Sequence, residues 1–165
     1  MKGLRPARPE RNSPGQGVFA AALGYGYPKN SAALKGQGNM AQSLSKIIST
    51  KNREPVLSKA VRGDLFAYMI GILNSLDCVT ITINGVEDHV HALIIMSKTI
   101  SVSKMMAEMK GGSSRWLNSR DATKKHFEWQ AGYGAFSVSE SNIPNVIEYI
   151  AVQEEHHKKM TFQEK

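Results

Sequence analysis

The sequence predicts an α+β domain of the ferredoxin-like, split βαβ kind, with an antiparallel sheet and one added C-terminal helix. Three observations predict it. "CVTITING" and "HVHALIIM" are β-rich runs joined by the turn "NGVED", the signature of a hairpin. Apolar residues at helical spacing lie on both sides of that hairpin. A further extended stretch stands before the first helical segment and another after the second, giving the order β-α-β-β-α-β-α.

Each element follows in turn. "SLSKIIST" is a short apolar strand, closed by the basic turn "KNREP". Over residues 55–76, Leu57, Val61, Leu65, Met69 and Leu73 recur every four residues and mark one helix face. The hairpin strands come next, and on the second of them Val90, Ala92 and Ile94 are expected to point into the helix-packed core. Val102, Met105, Met106 and Met109 predict a helix from Ser101 to about Leu117. Gly111 and Gly112 interrupt that helix, at about 1 kcal/mol per glycine. "SRDATKKH" is a polar loop, and "FEWQAGYGAFSVS" is aromatic, partly extended and kinked at its glycines. In "NIPNVIEYIAVQEEHHKK" an amphipathic helix turns Ile143, Val146, Ile147 and Ile150 inward. The sheet face away from the core helices is left for a ligand, a partner or this last helix.

Composition narrows the class. The chain has 165 residues, of which 41% are hydrophobic, enough for one cored domain. No apolar run approaches the roughly 20 residues of a membrane span, and the basic N-terminus lacks the continuous apolar segment of a secretion signal. The single cysteine, Cys78, excludes an internal disulfide framework and a cysteine-based zinc cage, so a reducing cytoplasm is expected. The net charge of +7 is uneven: residues 1–39 hold six Lys/Arg against one acid, and residues 40–165 hold fifteen against thirteen. Residues 1–39 therefore read as a basic, Pro- and Gly-rich, disordered extension, and residues 40–165 as the domain. A nearly balanced domain gives little support, by charge alone, to a nucleic-acid surface.

The chemistry concentrates in two places. On a strand, His89 and His91 point to the same side, two imidazoles roughly 6–7 Å apart. Glu87 shares that side if the strand begins early. As a bare pair they read as packing groups, because two ligands hold a divalent ion poorly. On the last helix, Tyr149 and Gln153 are four residues apart and stack on one flank of the apolar stripe. The Gln153 amide oxygen is hard enough to complete a Mg²⁺ or Mn²⁺ site with the two histidines. A tyrosine with a pKa near 10 needs such help as a nucleophile toward a phosphodiester. Tyr133, between two glycines, is a competing nucleophile with no companion one turn away. His156 and His157 end a charged tail and suit the helix dipole. Cys78 reads as buried and inert.

Taken together these residues resemble the small single-tyrosine HUH transposases of insertion sequences, REP-associated tyrosine transposases among them. "MAQSLSKI", "STKNREP", "DHVHALI", "WQAGYGAFSVS" and "YIAVQEEHHKK" carry the likeness in order across residues 40–165. The resemblance implies a divalent metal held by His89, His91 and Gln153, with Tyr149 as the nucleophile. It implies cleavage and rejoining of single-stranded DNA at hairpin ends through a 5′-phosphotyrosine. It also implies a homodimer in which each tyrosine helix serves the partner's site.

Three departures stand out. The family has a full strand between "SLSKI" and "STKNREP", whereas this chain runs "SLSKIISTKNREP", so a truncated first strand is expected, with lost ladder bonds beside the histidine strand. Gly111 and Gly112 weaken a helix that is continuous in relatives. The chain stops at "TFQEK", where relatives continue, and "VFAAALGY" is a candidate replacement for the missing strand.

The alternative reading is an inactive or domesticated relic that binds single-stranded or hairpin DNA without cutting it. Lys51, Arg53, Lys110, Arg115, Lys124 and Lys125 are the candidate phosphate contacts in either case, and Trp116 or Trp129 could stack a base. A small-ligand or dimerisation module is a third class, distinguishable by weak salt dependence. A structural zinc protein is disfavoured by the lone cysteine.

Overall fold

The computed structural model describes residues 43–120 and 125–153. The basic extension, "VFAAALGY", Lys124, His156, His157 and the terminal "TFQEK" lie outside the described residues.

The described elements are strand β1 (Ser43–Ser49), helix α1 (Lys59–Ser75), the hairpin β2 (Val79–Gly85) and β3 (His89–Ile95), helix α2 (Val102–Ser119), strand β4 (Gly134–Ser137) and helix α3 (Ile143–Ala151). The sheet order is β2-β3-β1-β4, with every neighbouring pair antiparallel. This is the expected split βαβ plan with its extra helix.

The central strand gives the first difference from expectation. β1 has seven residues, as do β2 and β3, and it pairs along the whole of β3 from Ser43↔Ile95 to Ser49↔His89. The expected truncation is not seen: the ladder beside the histidines has no gap. The residues "SLSKIIS" are themselves the strand.

Period-2 alternation divides the sheet into two faces. On one, Ile48, Val90, Ala92 and Ile94 join Leu65, Met69 and Leu73 of α1 and Met105, Met106, Met109 and Leu117 of α2 in the main core. Phe127 and Trp129 close it, edge to face with ring centroids 4.8 Å apart. On the other face, Ile81, Leu93 and Ile95 receive Ile143 and Ile150 of α3. Burying such a side chain stabilises by about 1.5–3 kcal/mol, which makes the main core the stabilising mass and the α3 face a lighter attachment.

The two glycines of α2 do not interrupt it; the helix runs through both. Gly112 is buried against α1, and a Cβ there would stand 2.6 Å from the Ile72 Cδ1 atom. Close approach of two helices selects the glycine, and packing offsets the local propensity cost. Ser101 caps this helix by accepting from the Lys104 N–H at 3.2 Å.

Candidate metal and nucleophile site

β3 carries His89 and His91 on the α3 side of the sheet, both only 4% exposed. The rings lean together rather than standing apart as on an ideal pleat: their centroids are 4.9 Å apart at 68°. α3 brings Tyr149 over them, its ring centroid 5.8 Å from that of His91. Just past the helix, Gln153 is 1% exposed, with its Oε1 3.4 Å from His89 Nε2. The four residues singled out for metal and nucleophile therefore come together within one chain. Tyr149 is 50% exposed, buried on the histidine side and open to solvent on the other.

α3 is held there by β2 as well as by its isoleucines. Asn84 Nδ2 donates to the carbonyls of Ile150 at 2.9 Å and Ala151 at 3.2 Å, satisfying two acceptors that a helix end leaves open. Because Asn84 pairs with His91 in the hairpin, the latch sits beside the site.

Asp88 orients the first histidine. Asp88 Oδ1 lies 2.6 Å from His89 Nδ1, and Asp88 Oδ2 accepts from Arg53 Nε at 3.0 Å. Burial works to raise the Asp88 carboxyl, but the hydrogen bonds and charges of His89 and Arg53 outweigh it and hold the group below the usual carboxylate range. An ionised carboxylate only accepts, so His89 presents an N–H to it at Nδ1, which leaves Nε2 facing the Gln153 oxygen. The Gln153 amide has its nitrogen 3.5 Å from the Tyr149 carbonyl, leaving its oxygen toward His89. Nε2 and Oε1 thus lie within reach of each other in a buried place, and with a neutral imidazole the pair is suited to a cation between them. This donor set, two imidazoles and an amide oxygen with a carboxylate behind one imidazole, fits a divalent metal.

Asp88 escaped sequence reading, although it stands directly before the histidine pair. Acidic residues are common in turns, and only the fold shows its oxygens shared between Arg53 and His89. Glu87 is exposed and does not join the histidines; its carbonyl accepts from the Leu57 N–H at 2.9 Å.

The candidate phosphate contacts are scattered. Lys51 pairs with Glu128, which raises the amine and lowers the carboxyl. Lys110 Nζ donates to the carbonyls of Gln130 at 2.6 Å and Gly132 at 2.8 Å, fastening the loop before β4, and burial holds this amine below the ordinary lysine range. Arg115 is exposed on α2, on the side of the sheet away from the histidines, and Lys125 is exposed after the undescribed residues. Of the tryptophans, Trp129 is core, its Nε1 donating to Ser113 Oγ at 2.9 Å. Trp116 stacks on Tyr68 with centroids 5.2 Å apart and carries the Arg120 guanidinium on its ring. Neither is presented to a base. Tyr133 points away from the histidine face, 3.2 Å from the Ser103 hydroxyl. Cys78 is buried near the Met105 sulfur. Among the described residues, no element beyond α3 covers the histidine face over β1 and β4, where Phe136 is 58% exposed.

Comparison with known proteins agrees with this architecture. The family model described as "Transposase IS200 like" matches residues 41–153. A protein from Deinococcus radiodurans R1, provisionally described as a transposase, superposes with a TM-score of 0.58 at 23% identity, over 71% of this chain and 95% of that one. A REP-associated tyrosine transposase bound to a REP hairpin superposes with a TM-score of 0.58 at 13% identity, over 72% and 70%. Curated protein sequences give no match. Among the described residues, no helix is long and apolar enough to cross a membrane.

Proposed function

This chain belongs to the IS200-like transposase family, and from that premise we propose that it is a metal-dependent transposase of single-stranded DNA with Tyr149 as its nucleophile. The observation that carries the reading is the convergence of Tyr149, His89, His91 and Gln153, with the Tyr149 ring against His91 and Gln153 against His89. The solved relative held on a hairpin supports hairpin-ended DNA as the substrate.

Tyr149 is exposed enough to meet a DNA strand and is anchored through its helix. Its oxygen attacks a backbone phosphorus, forming a P–O bond to tyrosine as the P–O3′ bond breaks. The phenolic proton leaves and the departing 3′ oxygen takes up a proton, so charge balances and the 5′ phosphate stays on Tyr149. Attack by a 3′ hydroxyl reverses the step and rejoins DNA without an external energy source. His89, His91 and Gln153 would hold Mg²⁺ or Mn²⁺, which when bound would polarise the phosphate and stabilise the leaving oxygen. Asp88 keeps His89 in the tautomer that presents Nε2. Lys51 and Arg53, in the turn beside Asp88, are the candidate phosphate contacts nearest the site.

The test is a denaturation-resistant protein–DNA band, formed with labelled single-stranded hairpins from the flanks of the coding region and Mn²⁺ or Mg²⁺. The band should require metal, disappear in Tyr149→Phe, and no longer be stimulated by metal in His89→Ala. A cooperatively folded wild type that forms no band with either flank would overturn the enzyme and leave a hairpin-binding relic.

A further inference from the structure

Arg53 touches neither histidine, yet the site depends on it through Asp88. We propose that Arg53 is a positioning residue for His89, with Asp88 as the relay, so that the turn after β1 sets the aim of a metal ligand on β3. The inference rests on the reading of His89 as a ligand given above.

Three observations carry it. First, the Asp88 carboxylate is divided, one oxygen to each neighbour: Oδ1 to His89 Nδ1 at 2.6 Å and Oδ2 to Arg53 Nε at 3.0 Å. With its side chain 22% exposed, that carboxylate has water to turn toward if Arg53 lets go. Second, Asn52 and Arg53 both have φ of 55°, two successive non-glycine residues in the left-handed region, each costing about 1 kcal/mol or more. The turn is over-determined by neighbours that hold it so. Asn52 N–H donates to Gln130 Oε1 at 2.8 Å, Lys51 N–H to the Glu128 carbonyl at 3.0 Å and Arg53 N–H to the Thr50 carbonyl at 3.0 Å. Third, the same segment grips Asp88 by its backbone, whose carbonyl accepts from the Thr50 N–H at 2.8 Å and the Thr50 hydroxyl at 3.1 Å.

Stability does not explain the arrangement. The Arg53 side chain is 63% exposed, and an exposed ion pair contributes little to folding. A strained turn kept for a pair of small stabilising value is better explained by orientation. With one carboxylate oxygen fixed by Arg53, the other stays on Nδ1, and Nε2 stays turned to Gln153.

The experiment measures Mn²⁺ binding by calorimetry, and the His89 tautomer by ¹⁵N imidazole shifts in metal-free protein, on the full chain. Asp88→Asn should weaken Mn²⁺ affinity about ten- to a hundredfold. Arg53→Gln should weaken it about three- to tenfold and reduce the Nδ1–H tautomer, and the double variant should bind no worse than Asp88→Asn alone. Arg120→Gln, a cation on the far side of the sheet, should bind as wild type. Should Arg53→Gln fold poorly, Arg53→Lys keeps the charge but not the Nε–H, and it should show the same tautomer change. Wild-type affinity together with a wild-type tautomer in the Arg53 variants would overturn the proposal, as would additive losses in the double variant. If wild type binds no Mn²⁺, the ligand reading falls while the tautomer still decides the role of Arg53.

Discussion

Lys46 shows at the residue scale a cost carried inside the first strand. Its partners across the sheet are Ala92 and Ala135, so it faces the main core, in line with Ile48. It is 1% exposed, and its Nζ is buried with no hydrogen-bond partner, lying 5.7 Å from the centroid of the Tyr133 ring. Burial holds the amine below the ordinary lysine range. Contact with an aromatic face offsets part of the desolvation, by about 0.5–2 kcal/mol, but an unsatisfied buried polar group costs about 1–3 kcal/mol. Lys46→Met keeps the volume and removes the amine. It should stabilise by about 1–2 kcal/mol at neutral pH, a rise of about 2–8 °C in melting temperature for a chain of this size. The pH dependence has a definite sign. The folded-state pKa is lowered, so the unfolded chain binds more protons between that value and the ordinary lysine value, and wild-type stability rises with pH across that window. Below the window the full penalty applies. Lys46→Met should lose this slope, and melting curves from neutral to alkaline pH check both claims; an unchanged or lower melting temperature would contradict them.

At the scale of the element, α3 decides whether the nucleophile is in place. It has nine residues, below the roughly 12–15 at which an isolated helix becomes even marginal in water, so docking must hold it. Ile143 and Ile150 supply the buried area, and Asn84 adds two hydrogen bonds of about 0.5–1.5 kcal/mol each. Asn84→Ala should speed hydrogen exchange of the α3 amides and lower the rate of covalent adduct formation about tenfold, a loss of about 1.4 kcal/mol. The main core does not include α3, so the melting temperature should fall by no more than a few degrees. Adduct formation at the wild-type rate would mean that the latch is unnecessary. Elements were the most legible part of the sequence, because their signals are local. The alternation in "HVHALII" placed His89 and His91 on one face and Val90, Ala92 and Ile94 on the other, as observed. Gly112 was misread for the opposite reason, since its cause is Ile72 on another helix. Asp88 and the internal partners of Lys51 and Lys110 were invisible likewise: a sequence displays charge, not what the fold sets beside it.

For the whole molecule, the division of labour between the two sheet faces governs how copies could cooperate. One face carries the main core; the other carries the site, with α3 covering β2 and β3 while β1 and β4 stay open. α3 docks on its own chain through a few apolar side chains and one latch, and a short segment, residues 138–142, joins it to β4. Nothing in that surface distinguishes a chain's own α3 from a second copy's, so exchange between two chains would keep every docking contact. We propose that the protein works as such a homodimer, the Tyr149 and Gln153 of each exchanged segment serving the partner's histidine pair. Mixing Tyr149→Phe with His91→Ala protein tests this directly. Neither variant has a complete site within one chain, but an exchanged heterodimer has one site with both an intact tyrosine and intact ligands. Random pairing at equal amounts makes about half the dimers mixed, each with one competent site of two. Adduct should therefore return to about a quarter of the wild-type level, on the His91→Ala chain that donates the intact tyrosine. Sedimentation at the same concentration should show a dimer. A dimer without recovered adduct would mean that α3 stays on its own sheet, with Tyr149 against its own chain's His91 during catalysis.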